Sequence, residues 1–252
     1  EALAVLPEVY DEPMADASAI PTWVLSRLAR ESIKVALSAD GGDEIFGGYD
    51  KYVSGLGWYR LLSNIPNSCR DILRSLVGNL RYIPNVTRMA NYKGRVELLS
   101  QILSPEGHQS VYRYKIDPQG FYGCPEQYLT NPEPRKSTPY DNITQVSHLS
   151  PLDQIQSIDL QANLPGALIT KVERASMSNG LECREPLLDH ELVDIVSRWP
   201  DRFRMYNGKT KIVFKKMAHR LIPRELLDRP KKGFTPPIGR WLGEVLRNGE
   251  QE

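Results

Sequence analysis

The sequence predicts an α/β fold in which part of a parallel sheet comes first and a mainly helical region follows. Three observations carry this expectation. The run from Ile33 to Leu37 alternates, with Ile33, Val35 and Leu37 set between Lys34 and Ala36, and its β-branched residues suit a buried strand. It ends abruptly in a turn, Ser38 to Gly42, after which Asp43 and Glu44 stand in the first turn of a helix. Beyond Pro151 the apolar residues return at helical spacing.

Pro21 and Thr22 introduce a helix ending near Glu31, and Val24, Leu25, Leu28 and Ala29 are expected to form its buried face. With the strand it makes an αβ unit. From Ile45 onward strand signals fade, and helical or irregular segments are expected over roughly 44–54, 58–62, 68–76 and 96–103. Pro125, Pro132, Pro134 and Pro139 punctuate a polar excursion over 124–140, the best internal boundary. Ile155, Ile158 and Leu160 then open the helical half. A helix after Asp189 is expected to bury Leu192, Val193, Ile195 and Val196, and another is expected from about 209 to 221, bounded by Gly208 and Pro223.

Composition narrows the function. The chain has 252 residues, with 32 Lys and Arg against 31 Asp and Glu, so no net field favours nucleic acid or an anionic membrane. No apolar segment approaches the ~18 residues of a membrane span, and no signal peptide opens the chain, so a cytoplasmic protein with neither membrane nor nucleic-acid partner is expected. Cys69, Cys124 and Cys183 lack disulfide or zinc spacing and read as free thiols. His108, His148, His190 and His219 are scattered and receive no role.

The chemistry gathers in the loop at the end of the strand. Ser38-Ala39-Asp40-Gly41-Gly42-Asp43-Glu44 holds three acids, and its glycines let backbone N–H groups approach a ligand. In open α/β sheets ligands bind at the carboxyl ends of strands, and a following helix can direct N–H groups at an anion. The acids also suit a capped helix start, and that structural role stays open for Asp43.

At these residues a family resemblance enters. Ser38 to Tyr49 resembles the nucleotide-site loop of the asparagine synthetase B family, glutamine-dependent amidotransferases that activate a carboxylate as an acyl adenylate. Tyr10 to Thr22 is similar to the segment preceding the strand, Leu164 to Asp189 to a second signature, and Arg229 to Phe234 to a third. The resemblance implies a PP-loop ATP pyrophosphatase domain of adenine-nucleotide hydrolase type. It divides the chain into the C-terminal part of a nucleotide-binding sheet over 1–60, a helical and loop insertion over 61–150, and a helical part over 151–252. It implies ATP and Mg²⁺ as cofactors, aspartate or a similar carboxylate and glutamine-derived ammonia as substrates, and a glutaminase domain in the full-length protein, with room for a homodimer.

Residue by residue, Ser38, Ala39 and Gly41 resemble the nucleotide contacts, and Asp43 resembles the acid that holds Mg²⁺ with pyrophosphate. Asp40 resembles the acid associated with adenylate formation and ammonia attack, and Lys211 and Lys231 resemble lysines facing the phosphates. Glu182, Arg184 and Asp189 suit either a substrate pocket or a buried ion-pair cluster, and Lys171 and Arg174 share that ambiguity. Three departures stand out. Ala39 replaces a glycine, Asp40 is one methylene shorter than the usual glutamate, and Asp16 stands where typical members carry an arginine. The glutaminase domain and the Ser-Gly-Gly-Xaa-Asp-Ser pyrophosphate loop lie outside this sequence, so it reads as a synthetase fragment not expected to complete the reaction alone. A related amidotransferase for another carboxylate, or a non-catalytic binding subunit, are the alternatives.

Overall fold

The computed structural model describes residues 2–12, 14, 16–79, 96, 99–100, 103, 148–228 and 236–241. In chain order these form α1 (Ala2–Tyr10), α2 (Ala19–Arg30), β1 (Val35–Leu37), α3 (Gly42–Phe46), α4 (Asp50–Ser63) and α5 (Asn67–Asn79). After the undescribed stretch come α6 (Pro151–Ile158), a π-helical segment (Asp159–Ile169), α7 (Thr170–Met177), β2 (Glu182–Arg184), a 3₁₀ turn (Pro186–Leu188), α8 (His190–Ser197), α9 (Asp201–Arg204), α10 (Ile212–Ala218) and α11 (Arg224–Leu227). The described fold is therefore a mostly helical α/β one with a small parallel sheet. The polar excursion expected over 124–140, with Cys124, lies outside the described residues, as does most of the segment expected over 96–103.

The chain divides into two compact units. The first comprises Glu1–Gly42, Asn163–Asp194 and Lys215–Glu252, and the second Asp43–Ala162 and Ile195–Phe214. In the first, β1 and β2 pair in parallel with Val35 opposite Glu182 and Leu37 opposite Arg184, so both strands end at the same edge. Val9, Tyr10, Ala19, Trp23 and Ala175 form the core. This corrects the face expected for α2. Ala19, Ile20, Trp23 and Ser26 turn inward, while Val24, Leu25 and Leu28 are exposed. Two apolar stripes compete on this helix, and the large indole of Trp23 takes the inner one. The strand is also less buried than expected: with β2 its single partner among the described residues, Val35 and Leu37 stay exposed.

An ion pair fixes the first unit where α2 begins. Lys171, buried on α7, places Nζ 2.7 Å from Asp16 Oδ2 and donates to Ser18 Oγ at 2.8 Å. The Tyr10 hydroxyl donates to the Lys171 carbonyl at 3.0 Å, and burial, with the Asp16 charge, pushes its pKa up to about 12. Burial alone would raise the Asp16 carboxyl, but hydrogen bonds from Lys171 and Ser18 outweigh it and hold the group below its ordinary 3.8. Because the folded value is the lower one, the pair's stabilisation is complete above the unfolded pKa and is lost as pH falls through the folded one. Asp16→Asn therefore costs about 1 kcal/mol at pH 6, a figure kept small because the Asp16 side chain is 37% exposed. The gap between the two proteins in urea unfolding should narrow progressively as pH falls below 3.8; a gap that does not narrow there contradicts this assignment.

In the second unit Tyr52, Leu152, Ile155, Ile158 and Met205 form the core. The helix expected from about 44 is broken: α3 stops at Phe46, the chain turns through Gly47 and Gly48, and α4 begins at Asp50. Ser150 caps α6, accepting from the Asp153 N–H at 3.2 Å, with Pro151 at the first helical position. Arg204, almost fully buried, bridges Asp153 at 2.6 Å and Asp201 at 2.8 Å and donates to Gln156 Oε1 at 2.7 Å. Gln156 in turn donates to the Glu44 and Ile45 carbonyls, which anchors α3. The π-helical segment accommodates Pro165, which has no N–H to give. On α8 the expectation is corrected for Ile195, which is exposed at 54%, while Val196 is buried. The helix expected from 209 begins instead at Ile212, because Lys209 pairs with Tyr206 in a bridge and Lys211 has φ 52°. No helix among the described residues is long and apolar enough to cross a membrane, and Cys69 and Cys183 are free thiols.

Candidate active site

In the first unit the Ser38 N–H continues the strand pairing by donating to the Arg184 carbonyl at 2.9 Å. The chain then turns. The Ser38 hydroxyl donates to Asp40 Oδ2 and accepts from the Asp40 N–H at 3.0 Å, which folds the acid back over the strand end. Gly41 has φ +85°, and a Cβ there would lie 2.2 Å from Leu188 Cδ2. Glycine is required at this position on both counts, and it seats the loop directly against the 3₁₀ turn after β2. Ser38 and Asp40 line a cavity of ≈ 540 Å³ walled by α2, α7 and the two strands, to which Ser18, Ser26 and Lys171 add polar groups.

In the second unit Asp43 and Lys211 come together, with Nζ 3.2 Å from Asp43 Oδ1 and both side chains about a quarter exposed. Gly48 makes room for them: a Cβ there would lie 2.0 Å from Asp43 Oδ1 and 2.2 Å from Lys211 Cε. Lys211 stands in the turn before α10 rather than on the helix, which separates it from Lys209 and Lys215. Phe214 lies with its ring centroid 6.0 Å from Nζ.

Beside Asp43, Glu44 is buried and accepts from the Tyr49 hydroxyl at 2.6 Å. Burial raises its pKa; the Tyr49 hydrogen bond opposes this, and the Asp159 and Asp43 charges add to it. Tyr49 is itself pushed strongly upward by burial and by Glu44. Lys51 lies 4.2 Å from the centroid of the Tyr49 ring and 2.9 Å from Asp159 Oδ2, and the Tyr52 hydroxyl donates to the same carboxylate. Asp159, fully buried, is thus charge-paired and hydrogen-bonded. Nothing in the sequence singled out this cluster, which joins the segment 44–52 to Asp159 more than a hundred residues away.

The second signature resolves into separate tasks. Glu182 and Arg184 pair at 2.7 Å, but both are exposed, which corrects the buried ion-pair cluster considered for them. Asp189 caps α8, accepting from the Glu191 N–H at 2.9 Å and the Leu192 N–H at 3.2 Å. Lys171 is buried against Asp16, and Arg174 pairs with Asp11 at the surface. Ala39 is exposed at the loop tip, and Lys231 lies outside the described residues. Among the described residues no group of three or more His, Cys, Asp or Glu side chains could hold a metal ion by itself.

Comparison with known proteins agrees over the length of the chain. A family model described as asparagine synthase matches residues 1–251. Asparagine synthetase (glutamine-hydrolyzing) 1 of Bacillus subtilis is 30% identical over 252 residues, covering 96% of this chain and 38% of its own length. A Mycobacterium tuberculosis relative, provisionally given the same name, is 31% identical over 256 residues, covering 98% of this chain and 37% of its own. This chain thus spans well under half the length of these relatives. No solved structure matches it significantly.

Proposed function

The chain belongs to the asparagine synthase family, and on that premise we propose that it forms part of a ligase that joins a carboxylate to ATP as an acyl adenylate and lets ammonia displace AMP. Aspartate, giving asparagine with ammonia from glutamine, is the leading substrate pair. The observation that carries the reading is the pairing of Asp43 with Lys211, an acid and a cation held together in the loop region that the family resemblance assigns to pyrophosphate.

The residues divide the work as follows. Ser38, Ala39 and Gly41 contact the nucleotide through backbone and hydroxyl groups. Asp40 stands toward the acyl carbon, where a carboxylate can orient the incoming nitrogen. Lys211, with Lys231, neutralises the charge that gathers on departing pyrophosphate, as a mobile point charge can. Mg²⁺ fits this donor set: a hard cation that arrives with phosphate oxygens and water needs few protein oxygens, and Asp43 would supply one. Bound there, it would stabilise the leaving group as a Lewis acid. The PP-loop fold, a glutaminase domain in the full-length protein and a homodimer complete the proposal.

A second acceptor is favoured by one observation. Asp16 neutralises Lys171 close to the Asp40 cavity, which weakens the attraction there for the extra carboxylate of aspartate. The test is to incubate the full-length protein with ATP, Mg²⁺, ammonium and a panel of carboxylates. AMP, pyrophosphate and asparagine are expected with aspartate. Amide formation from another carboxylate alone would move the assignment to that substrate, and ADP with phosphate as products would reject adenylation.

A further inference from the structure

In the first unit two segments that each carry a carboxyl group meet at the carboxyl edge of the sheet. The loop bearing Asp40 and the turn bearing Glu185 abut, joined by the Ser38 hydrogen bond to Arg184 and by the seating of Gly41 on Leu188. Asp40 is already engaged by the Ser38 hydroxyl. Glu185 differs: its Oε1 is buried with no hydrogen-bond partner among the described residues. A buried carboxylate oxygen without a donor is uncommon in native proteins, and it asks for an N–H or O–H that arrives from elsewhere.

The surroundings deepen that demand. Burial, then the charges of Asp40 on the loop and Glu173 on α7, raise the Glu185 carboxyl above its ordinary 4.5. Three cations of this unit are committed to other acids, Arg184 to Glu182, Arg174 to Asp11 and Lys171 to Asp16. A carboxyl moved upward in this way is a stronger base at neutral pH than an ordinary glutamate.

We propose that Glu185 is the proton acceptor of the amidation step, set beside Asp40 to receive a proton from the attacking nitrogen. This rests on the reading above that Asp40 stands at the acyl centre. The ammonia lone pair forms the C–N bond at the acyl carbon, leaving a cationic nitrogen in the adduct. The Glu185 carboxylate takes one proton from that nitrogen as the carbonyl re-forms. The bond from carbon to the adenylate oxygen breaks, and AMP leaves with the electron pair.

The test uses the full-length protein as wild type, Glu185→Gln and Glu185→Asp, with ATP–pyrophosphate exchange and ammonia-dependent amide formation each followed across pH. Glu185→Gln should lower amide formation by about 10²-fold, lower exchange far less, and abolish the acid limb of the amidation profile, with Glu185→Asp recovering part of the loss. Equal losses in both half-reactions, or wild-type amidation across the pH range, would overturn the role of Glu185. Wild-type protein that performs no exchange would instead overturn the underlying adenylation reading.

Discussion

Asp43→Asn in the full-length protein is expected to slow ATP–pyrophosphate exchange by about 10²–10³-fold, the effect of removing one preorganised charge from a developing anion. The substitution takes away the carboxylate proposed for Mg²⁺ and the charge partner of Lys211, whose Nζ keeps its contact with the Phe214 ring. Because Asp43 and Lys211 are partly exposed, the pair itself contributes no more than about 1 kcal/mol to stability, and the variant should fold normally. The signature that separates this from a general loss is the Mg²⁺ dependence, which should shift to higher concentration. A variant with wild-type exchange and an unmoved Mg²⁺ requirement would remove Asp43 from the site.

Gly48→Ala is the second large effect, and it acts by a different route. The new methyl group would occupy the space now taken by Asp43 Oδ1 and Lys211 Cε. Both atoms lie on side chains that can swing aside, so the backbone need not move and the stability change should stay below about 1 kcal/mol. Activity should nevertheless fall by about 10²-fold, because displacing catalytic groups by an ångström costs on that order. Gly57→Ala is the matching control, since a Cβ at Gly57 on α4 meets nothing within 4 Å. A Gly48→Ala protein that keeps full activity would show that the Asp43–Lys211 geometry does not matter.

How far the site could be read from sequence depends on how local each feature is. The strand, the turn and the start of α3 were legible because a polarity change, a pair of glycines and two acids fall within a few residues. The tasks of the two acids were not: Asp43 and Glu44 are adjacent in sequence, yet one meets Lys211 and the other is buried on Tyr49. The helix expected from about 209 would carry Lys209, Lys211 and Lys215 on one continuous period, with nothing local to set Lys211 apart. The positive φ at Lys211 and the Tyr206–Lys209 bridge break that period. The inner face of α2 is not encoded locally, because its apolar residues offer two stripes and burial against α1 and α7 decides between them. The Lys51–Tyr52–Asp159 cluster and the unsatisfied Glu185 oxygen depend on contacts between distant segments, which no local pattern encodes.

The central claim is that the loop from Ser38 to Glu44 belongs to a site that activates a carboxylate by adenylation. Its most direct test is oxygen transfer: the full-length protein is supplied with ¹⁸O-labelled carboxylate substrate, unlabelled ATP, Mg²⁺ and ammonium, and the AMP is examined by mass spectrometry. An acyl-adenylate route carries one labelled oxygen into the phosphate of AMP. Label in inorganic phosphate accompanied by ADP, or amide formed with unlabelled AMP, would contradict it.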